Sequence, residues 1–210
     1  VSGVAFRSCG QRGWRSRGCL TVRPHSTRPR STWDTMGRVK VVASAFVGGV
    51  APGVQFDRVH GATLDGNVVA DVKSVGIHVE GQRNKVTNNL VTEVADGYAE
   101  SGSSLLPWAM RFGNGDGVEG IGIQHAGRGS ELTGNRVAGV DGMAMLTDGH
   151  ECGATRTVAG NTVHSAIVGV FYAQRLKGAT GADADGQVGV STREGYPVGA
   201  STRTTCYELD

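Results

Sequence analysis

The chain lacks any apolar run approaching the length of a membrane span, and no basic-then-apolar leader opens it. A spanning helix and a signal peptide are therefore not read in these residues. No long amphipathic helical period runs through the sequence, which argues against a mainly helical fold. Proline is ordinary at 5 of 210 residues, so the abundant glycine does not belong to a collagen repeat. No Asn-x-Ser/Thr acceptor occurs, since Asn161-Thr162-Val163 fails at its third position. That counts mildly against a heavily N-glycosylated ectodomain.

Glycine accounts for 34 of the 210 residues, more than double the usual share of roughly 7%. With β-branched residues crowding the middle of the chain, this composition is that of turn-rich β structure. The organising feature is a repeat. Leu64-Asp65-Gly66-Asn67-Val68-Val69 recurs as Val86-Thr87-Asn88-Asn89-Leu90-Val91, Leu132-Thr133-Gly134-Asn135-Arg136-Val137 and Val158-Ala159-Gly160-Asn161-Thr162-Val163. The interval fits one coil of a stacked-strand solenoid at about 22–26 residues per rung. On this reading Asn89 to Asn135 is about two rungs. One period before Asn67, Val42-Ala43-Ser44-Ala45-Phe46-Val47 puts Ala45 where the Asn would be. Each copy is followed by a second anchor of Gly with alternating apolar residues, at Gly76-Ile77-His78-Val79, Gly142-Met143-Ala144-Met145 and Gly169-Val170-Phe171-Tyr172.

A strand of a few residues is unstable alone and must pair in parallel with its equivalent one rung away. Leu64, Val86, Leu132 and Val158 then stack inward as an aliphatic column. The turn before the next strand needs positive φ, which Gly and Asn tolerate best. Asn67, Asn89, Asn135 and Asn161 are read as a structural ladder, each amide bonding the next, rather than as a ligand site. The predicted fold is all-β: a right-handed single-stranded parallel β-helix, a pectin-lyase-like solenoid. It covers residues 1–175, with an Arg-rich loop at 12–40 and an insertion at 95–120. Residues 176–210, rich in Gly, Ala and Thr, are read as a partial rung or mobile tail. The whole is expected to be a fragment of a larger protein.

The formal net charge is only +2, yet Arg12, Arg15, Arg17, Arg23, Arg28, Arg30, Arg38 and Lys40 face the single acid Asp34, so the remainder is net acidic. Such a cluster binds polyanions when it is not simply a solvated loop, the reading preferred with Pro24 and Pro29 inside it. Aromatics interleave only at Trp14 and Trp33, which does not support a nucleic-acid platform. In the insertion, Asp96, Asn114 and Asp116 carry oxygen ligands of the kind calcium takes, but their spacing is not that of an EF-hand loop. Plain turns use the same residues, so no metal or cofactor is assigned. Cys9, Cys19, Cys152 and Cys206 form an even set open to three pairings.

Residues 54–94 and 121–171, roughly half the chain, resemble the parallel β-helix segment of the fibrocystin and fibrocystin-like proteins. More distantly, they resemble the cell-surface hyaluronidase group carrying G8 domains. The stretches that carry the likeness are Asp65-Gly66-Asn67-Val68-Val69-Ala70-Asp71-Val72, Gly76-Ile77-His78-Val79-Glu80-Gly81, Asn84 to Val91, Gly134-Asn135-Arg136-Val137-Ala138-Gly139, Asp148-Gly149-His150-Glu151-Cys152, and Asn161 to Val170. Gly149-His150-Glu151-Cys152 departs from the family's Gly-Glu-Pro-Cys. Residues 12–38 depart from a strand rich in aromatics and His, so no His-dependent activity of the hyaluronidase branch is carried over. The resemblance implies a secreted or single-pass cell-surface protein, associated with cilia in fibrocystin's case, and no established catalysis in this region.

Three functional readings follow. The first, preferred, is a non-catalytic extracellular module offering a solenoid side to a glycan or protein ligand. The second is a polysaccharide lyase or hydrolase acting on acidic glycans, because fold alone does not decide chemistry. Its candidates are Asp57 and His60 in one rung and His78 and Glu80 in the next, the last two sharing a strand face. The third is a polyanion-binding arm at residues 12–40, whose binding weakens steeply with salt.

Overall fold

The computed structural model describes residues 1–10, 18–23, 39–57, 59–95, 97–98, 117–118, 120–126, 130–148, 150–151, 157–173 and 205–206. All the regular structure among them is β. The chain opens with β1 (Ala5–Arg7) and β2 (Leu20–Val22), followed by β3 (Lys40–Val42), β4 (Ala45–Val47) and β5 (Val54–Phe56). The next turn of the chain supplies β6 (Thr63–Asp65), β7 (Val68–Lys73) and β8 (Val75–Glu80). Then come β9 (Lys85–Thr87) and β10 (Leu90–Ala95), an antiparallel pair β11 (Gly97–Tyr98) and β12 (Gly117–Val118), and β13 (Ile121–Ala126). The last coils hold β14 (Glu131–Thr133), β15 (Arg136–Asp148), β16 (His150–Glu151), β17 (Thr157–Ala159) and β18 (Thr162–Ala173), with β19 (Thr205–Cys206) antiparallel to β16.

Each short strand pairs in parallel with its equivalent in the next coil, producing a solenoid-like stack. The five-stranded sheet runs β17-β14-β9-β6-β3. A ten-stranded sheet climbs β1-β4-β7-β10 to β15 and descends through β13-β8-β5-β2. It curls because β15 is long enough to pair β10 along its first half and β13 along its second. Between these sheets lies one apolar core. Register stacks Val41, Leu64, Val86, Leu132 and Val158 in one column, and Phe46, Val69, Val91 and Val137 in another. Leu64, Val86 and Leu132 are at most 1% exposed, whereas Val158, in the last coil, is half-buried. Each fully buried aliphatic contributes about 1.5–3 kcal/mol, so the columns supply the cohesion that the short strands lack.

Two corners recur in coil after coil, each placing a residue in the left-handed region. One is occupied by Ala43, Gly66, Asn88, Gly134 and Gly160, the other by Gly48, Asp71, Glu93, Gly139 and Ser165. After the first corner comes the buried Asn. Asn67 Nδ2 donates to Asn89 Oδ1, Asn89 Nδ2 to Asn135 Oδ1 and Asn135 Nδ2 to Asn161 Oδ1, at 2.9–3.0 Å. The second hydrogen of each amide goes to a backbone carbonyl beneath, of Val41, Leu64 and Val86 in turn.

The register corrects three sequence readings. Asn89 and Asn135 are direct neighbours, with Leu90 opposite Arg136, so a single rung separates them. The extra residues fall between β10 and β13 and contribute no rung to the stack of described strands. Ser44, not Ala45, precedes the Asn column: its N–H donates to Asn67 Oδ1, while Ala45 faces Val68. Finally, the residue equivalent to Gly76 is Ala144 rather than Gly142, because Val75 pairs Ile121 and Ile121 pairs Met143.

Candidate functional site

The register that builds the core also aligns polar side chains across the descending half of the large sheet. Thr21 lies opposite Gln55, Gln55 opposite His78, and His78 opposite Gln124. Two residues further along, Arg23 Nε pairs with Asp57 Oδ2 at 3.1 Å. Asp57 follows Phe56, the partner of Val79, and so stands beside Glu80 on the next strand. The grouping arises because β2, β5, β8 and β13 carry a short polar-apolar alternation at matched positions, Val54-Gln55-Phe56 against Ile77-His78-Val79 and Ile123-Gln124-His125.

Exposure divides the group. Gln55 and Gln124 are buried at 5% and 4% exposure, whereas the Arg23 and Asp57 side chains are 44% and 22% exposed. Thr21, His78 and Glu80 are half-buried. His78 Nδ1 lies 3.0 Å from Gln124 Oε1. An amide oxygen only accepts, so Nδ1 carries the proton and Nε2 presents a lone pair. Burial of the ring lowers the His78 pKa from 6.5; the Gln124 bond and the Asp57 charge oppose this, and the Arg23 charge reinforces it. The imidazole is therefore neutral at pH 7. Gln55 Oε1 is buried without a hydrogen-bond partner among the described residues. An acceptor left in that state costs about 1–3 kcal/mol.

The structure thus sets Asp57, at the end of β5, beside the strand that carries His78 and Glu80, and adds Arg23 from the basic stretch. His60 serves elsewhere. Its Nδ1 accepts the Gln82 N–H at 3.1 Å, at a corner where Asn84 Oδ1 accepts from Ala62 and Asn84 Nδ2 donates to Val59. Arg12, Arg15, Arg17, Arg28 and Arg30 lie outside the described residues, as do Asp96, Asn114 and Asp116. Among the described residues no cluster of three or more His, Cys, Asp or Glu side chains is placed to hold a metal. No helix among them is long and apolar enough to cross a membrane. Cys9 and Cys19 form a disulfide. Sequence reasoning missed Gln55 and Gln124, although Gly53-Val54-Gln55-Phe56 and Gly122-Ile123-Gln124-His125 echo Gly76-Ile77-His78-Val79 closely enough to have found them.

Fold and site define an all-β, solenoid-like stack of parallel strands with a polar row on one sheet. Comparison with known proteins then connects it to one in particular. Over 130 residues, 62% of the chain, it is 31% identical to fibrocystin of Mus musculus. The chain spans about 3% of that protein's length. No protein-family profile matches the chain, and no solved structure matches it.

Proposed function

We propose that the chain is a right-handed, single-stranded parallel β-helix acting as a non-catalytic extracellular or cell-surface module, part of a larger fibrocystin-like protein. It presents a side of its coil to a glycan or protein ligand. The observation that carries this reading is the similarity to fibrocystin over 130 residues, 62% of the chain. The Cys9–Cys19 disulfide accords with an oxidising compartment. Arg23 partly neutralises Asp57, and His78 is tied to Gln124, an arrangement suited to holding a ligand. A ciliary membrane is the first location to examine.

The second reading, a lyase or hydrolase of acidic glycans, is favoured by a neutral His78 imidazole that feels the Asp57 charge, since such a ring can take a proton. Kinship with the G8-domain hyaluronidase group would put hyaluronan first among its substrates. The two readings separate in one assay. Folded protein is incubated with hyaluronan and polygalacturonate, with and without calcium, and screened in parallel for binding to immobilised glycans and ectodomains. Binding without loss of polymer size is the expected result. Size loss abolished by His78→Gln would replace the module with an enzyme.

A further inference from the structure

We propose that the outer face of β4, β7 and β10 is a self-association surface, on which a second copy of the chain docks face to face with its strands crossing at about a right angle. Such pairing is independent of the ligand that the module takes. Three observations carry it.

The first is an apolar face turned to solvent. On β7 and β10 the strands alternate, with Val69 and Val91 fully buried and Val68, Ala70, Leu90 and Thr92 on the outer side. Val68 is 37% exposed, Leu90 40% and, on β4, Val47 36%. Register sets Val68 between Ala45 and Leu90, and Val47 beside Ala70, so these residues form one continuous patch. The outer side of the five-stranded sheet differs. There Asp65 accepts from Thr87 and Lys85 pairs with Glu131 at 3.2 Å, so polar groups satisfy one another within the fold.

The second is the charge around that patch. Arg136 continues the Val68–Leu90 row in the following rung, and Arg7 opens the Val47–Ala70 row. Across the strands, Asp71 and Glu93 occupy successive left-handed corners, directly after Ala70 and Thr92. Among the described residues, none of Arg7, Arg136, Asp71 and Glu93 forms an ion pair, and neither does Lys73 beyond the corner. Cations along the stack and acids across it are therefore both free to meet a partner.

The third is the equal reach of the two sets. From the centre of the patch, midway between Val69 and Val91, Arg136 lies one and a half rungs along the stack, about 7 Å at about 4.8 Å per rung. Asp71 and Glu93 lie two residues along the strands, also about 7 Å away at about 3.3 Å per residue. A two-fold axis lying in the interface, diagonal to strands and stack, exchanges these directions. It lays Arg136 of each copy over the Asp71–Glu93 corner of the other and sets Leu90 against the small Ala70 opposite. One surface thus complements itself, as a closed dimer requires.

The test is sedimentation velocity of the full chain across a hundredfold range of concentration. A reversible dimer is the expected result. Leu90→Asp puts a charge at the centre of the patch and should raise the dissociation constant at least tenfold, without unfolding a chain in which that position already faces solvent. Arg136→Glu should weaken the dimer as well. Reversing the corner in the same chain, with Asp71→Arg and Glu93→Arg, should recover it. This charge swap supplies the reading should Leu90→Asp not fold. A monomer at every concentration overturns the proposal, as does a dimer indifferent to both Leu90→Asp and Arg136→Glu. An open-ended series of oligomers overturns it too, because end-to-end stacking of coils would then be the contact. A loss in Arg136→Glu that the folded, corner-reversed protein does not recover overturns the right-angle crossing.

Discussion

Asn89 Oδ1 accepts both the backbone N–H and the side-chain Nδ2–H of Asn67, at 3.0 and 2.9 Å, so one carbonyl ties two groups of the neighbouring rung. Asn89 repeats the arrangement with Asn135, and its second amide hydrogen caps the carbonyl of Leu64. At 1% exposure none of these groups can turn to water instead. The amide column therefore acts as a polar spine beside the aliphatic one, holding the register that the apolar residues alone would leave free to slip.

Replacing Asn89 by Leu removes the acceptor of the Asn67 N–H and the donor to the Leu64 carbonyl while keeping a similar volume. The Asn67 N–H and the Leu64 carbonyl lose these partners at about 1–3 kcal/mol each, and the Asn67 amide keeps only its bond to Val41, so a loss of about 2–5 kcal/mol is expected. Asn161, in the last coil and only partly buried, should cost about 1 kcal/mol when changed to Ala. Urea denaturation of both variants checks the gradient. Equal losses at the two positions would show that the column does not act through burial.

Gly76→Ala would bring a methyl within 2.5 Å of Val91 Cγ1 and 2.6 Å of the Gly122 carbonyl. The Gly122 contact is with backbone and cannot be relieved by a rotamer change, so overpacking of about 1–3 kcal/mol follows. At the equivalent place Ala144 is tolerated one rung beyond Gly122. The reverse change, Ala144→Gly, is therefore expected to cost about 1 kcal/mol, from lost packing and added chain entropy. A thermal melt of the pair is the check.

Stacked parallel strands were legible because the period is written in residues with narrow conformational roles. In four coils the first left-handed corner is Gly or Asn, at Gly66, Asn88, Gly134 and Gly160, the next position is Asn, and aliphatics flank both. Register was harder to read. Between Asn89 and Asn135 the interval is doubled by residues inserted after β10, and length alone cannot distinguish an insertion from a rung. Ala45 was misplaced by one residue because Ser44 supplies the ladder contact through its backbone N–H, which any residue but proline carries. The polar row was legible only in part. His78 stands out as an ionisable group, whereas Gln55 and Gln124 look like ordinary surface residues until strand pairing sets them on either side of it.

Ala43 occupies the left-handed corner at φ 47° and is exposed. An L-residue there costs about 1–2 kcal/mol, and glycine's extra freedom in the unfolded chain returns about 0.4–1 of that. Ala43→Gly is therefore expected to raise stability by about 0.5–1 kcal/mol. Gly66→Ala, at φ 63° with nothing within 4 Å of the added methyl, should lower it by a similar amount. Denaturant midpoints for the two variants should move in opposite directions.

The pH dependence of stability should carry the mark of His78. Burial lowers its folded-state pKa below the unfolded value of 6.5, so the fold favours the neutral ring. Above pH 6.5 the ring is neutral in both states and its full contribution is present. As pH falls below 6.5 the unfolded chain binds the proton first, and stability declines until the folded-state pKa is passed. A second decline belongs to Asp65, whose carboxylate accepts from Thr87 Oγ1 and Asn88 Nδ2 and titrates below 3.8 when folded. Its contribution is present above 3.8 and is lost as pH falls through the folded value. Urea midpoints measured from pH 7.5 to pH 5 should therefore fall. The fall should be shallower in His78→Gln, where the amide keeps a donor to Gln124 but cannot take up a proton. An identical slope in the two proteins would mean that His78 is as solvated in the fold as in the unfolded chain, and the other histidines would then have to account for the decline.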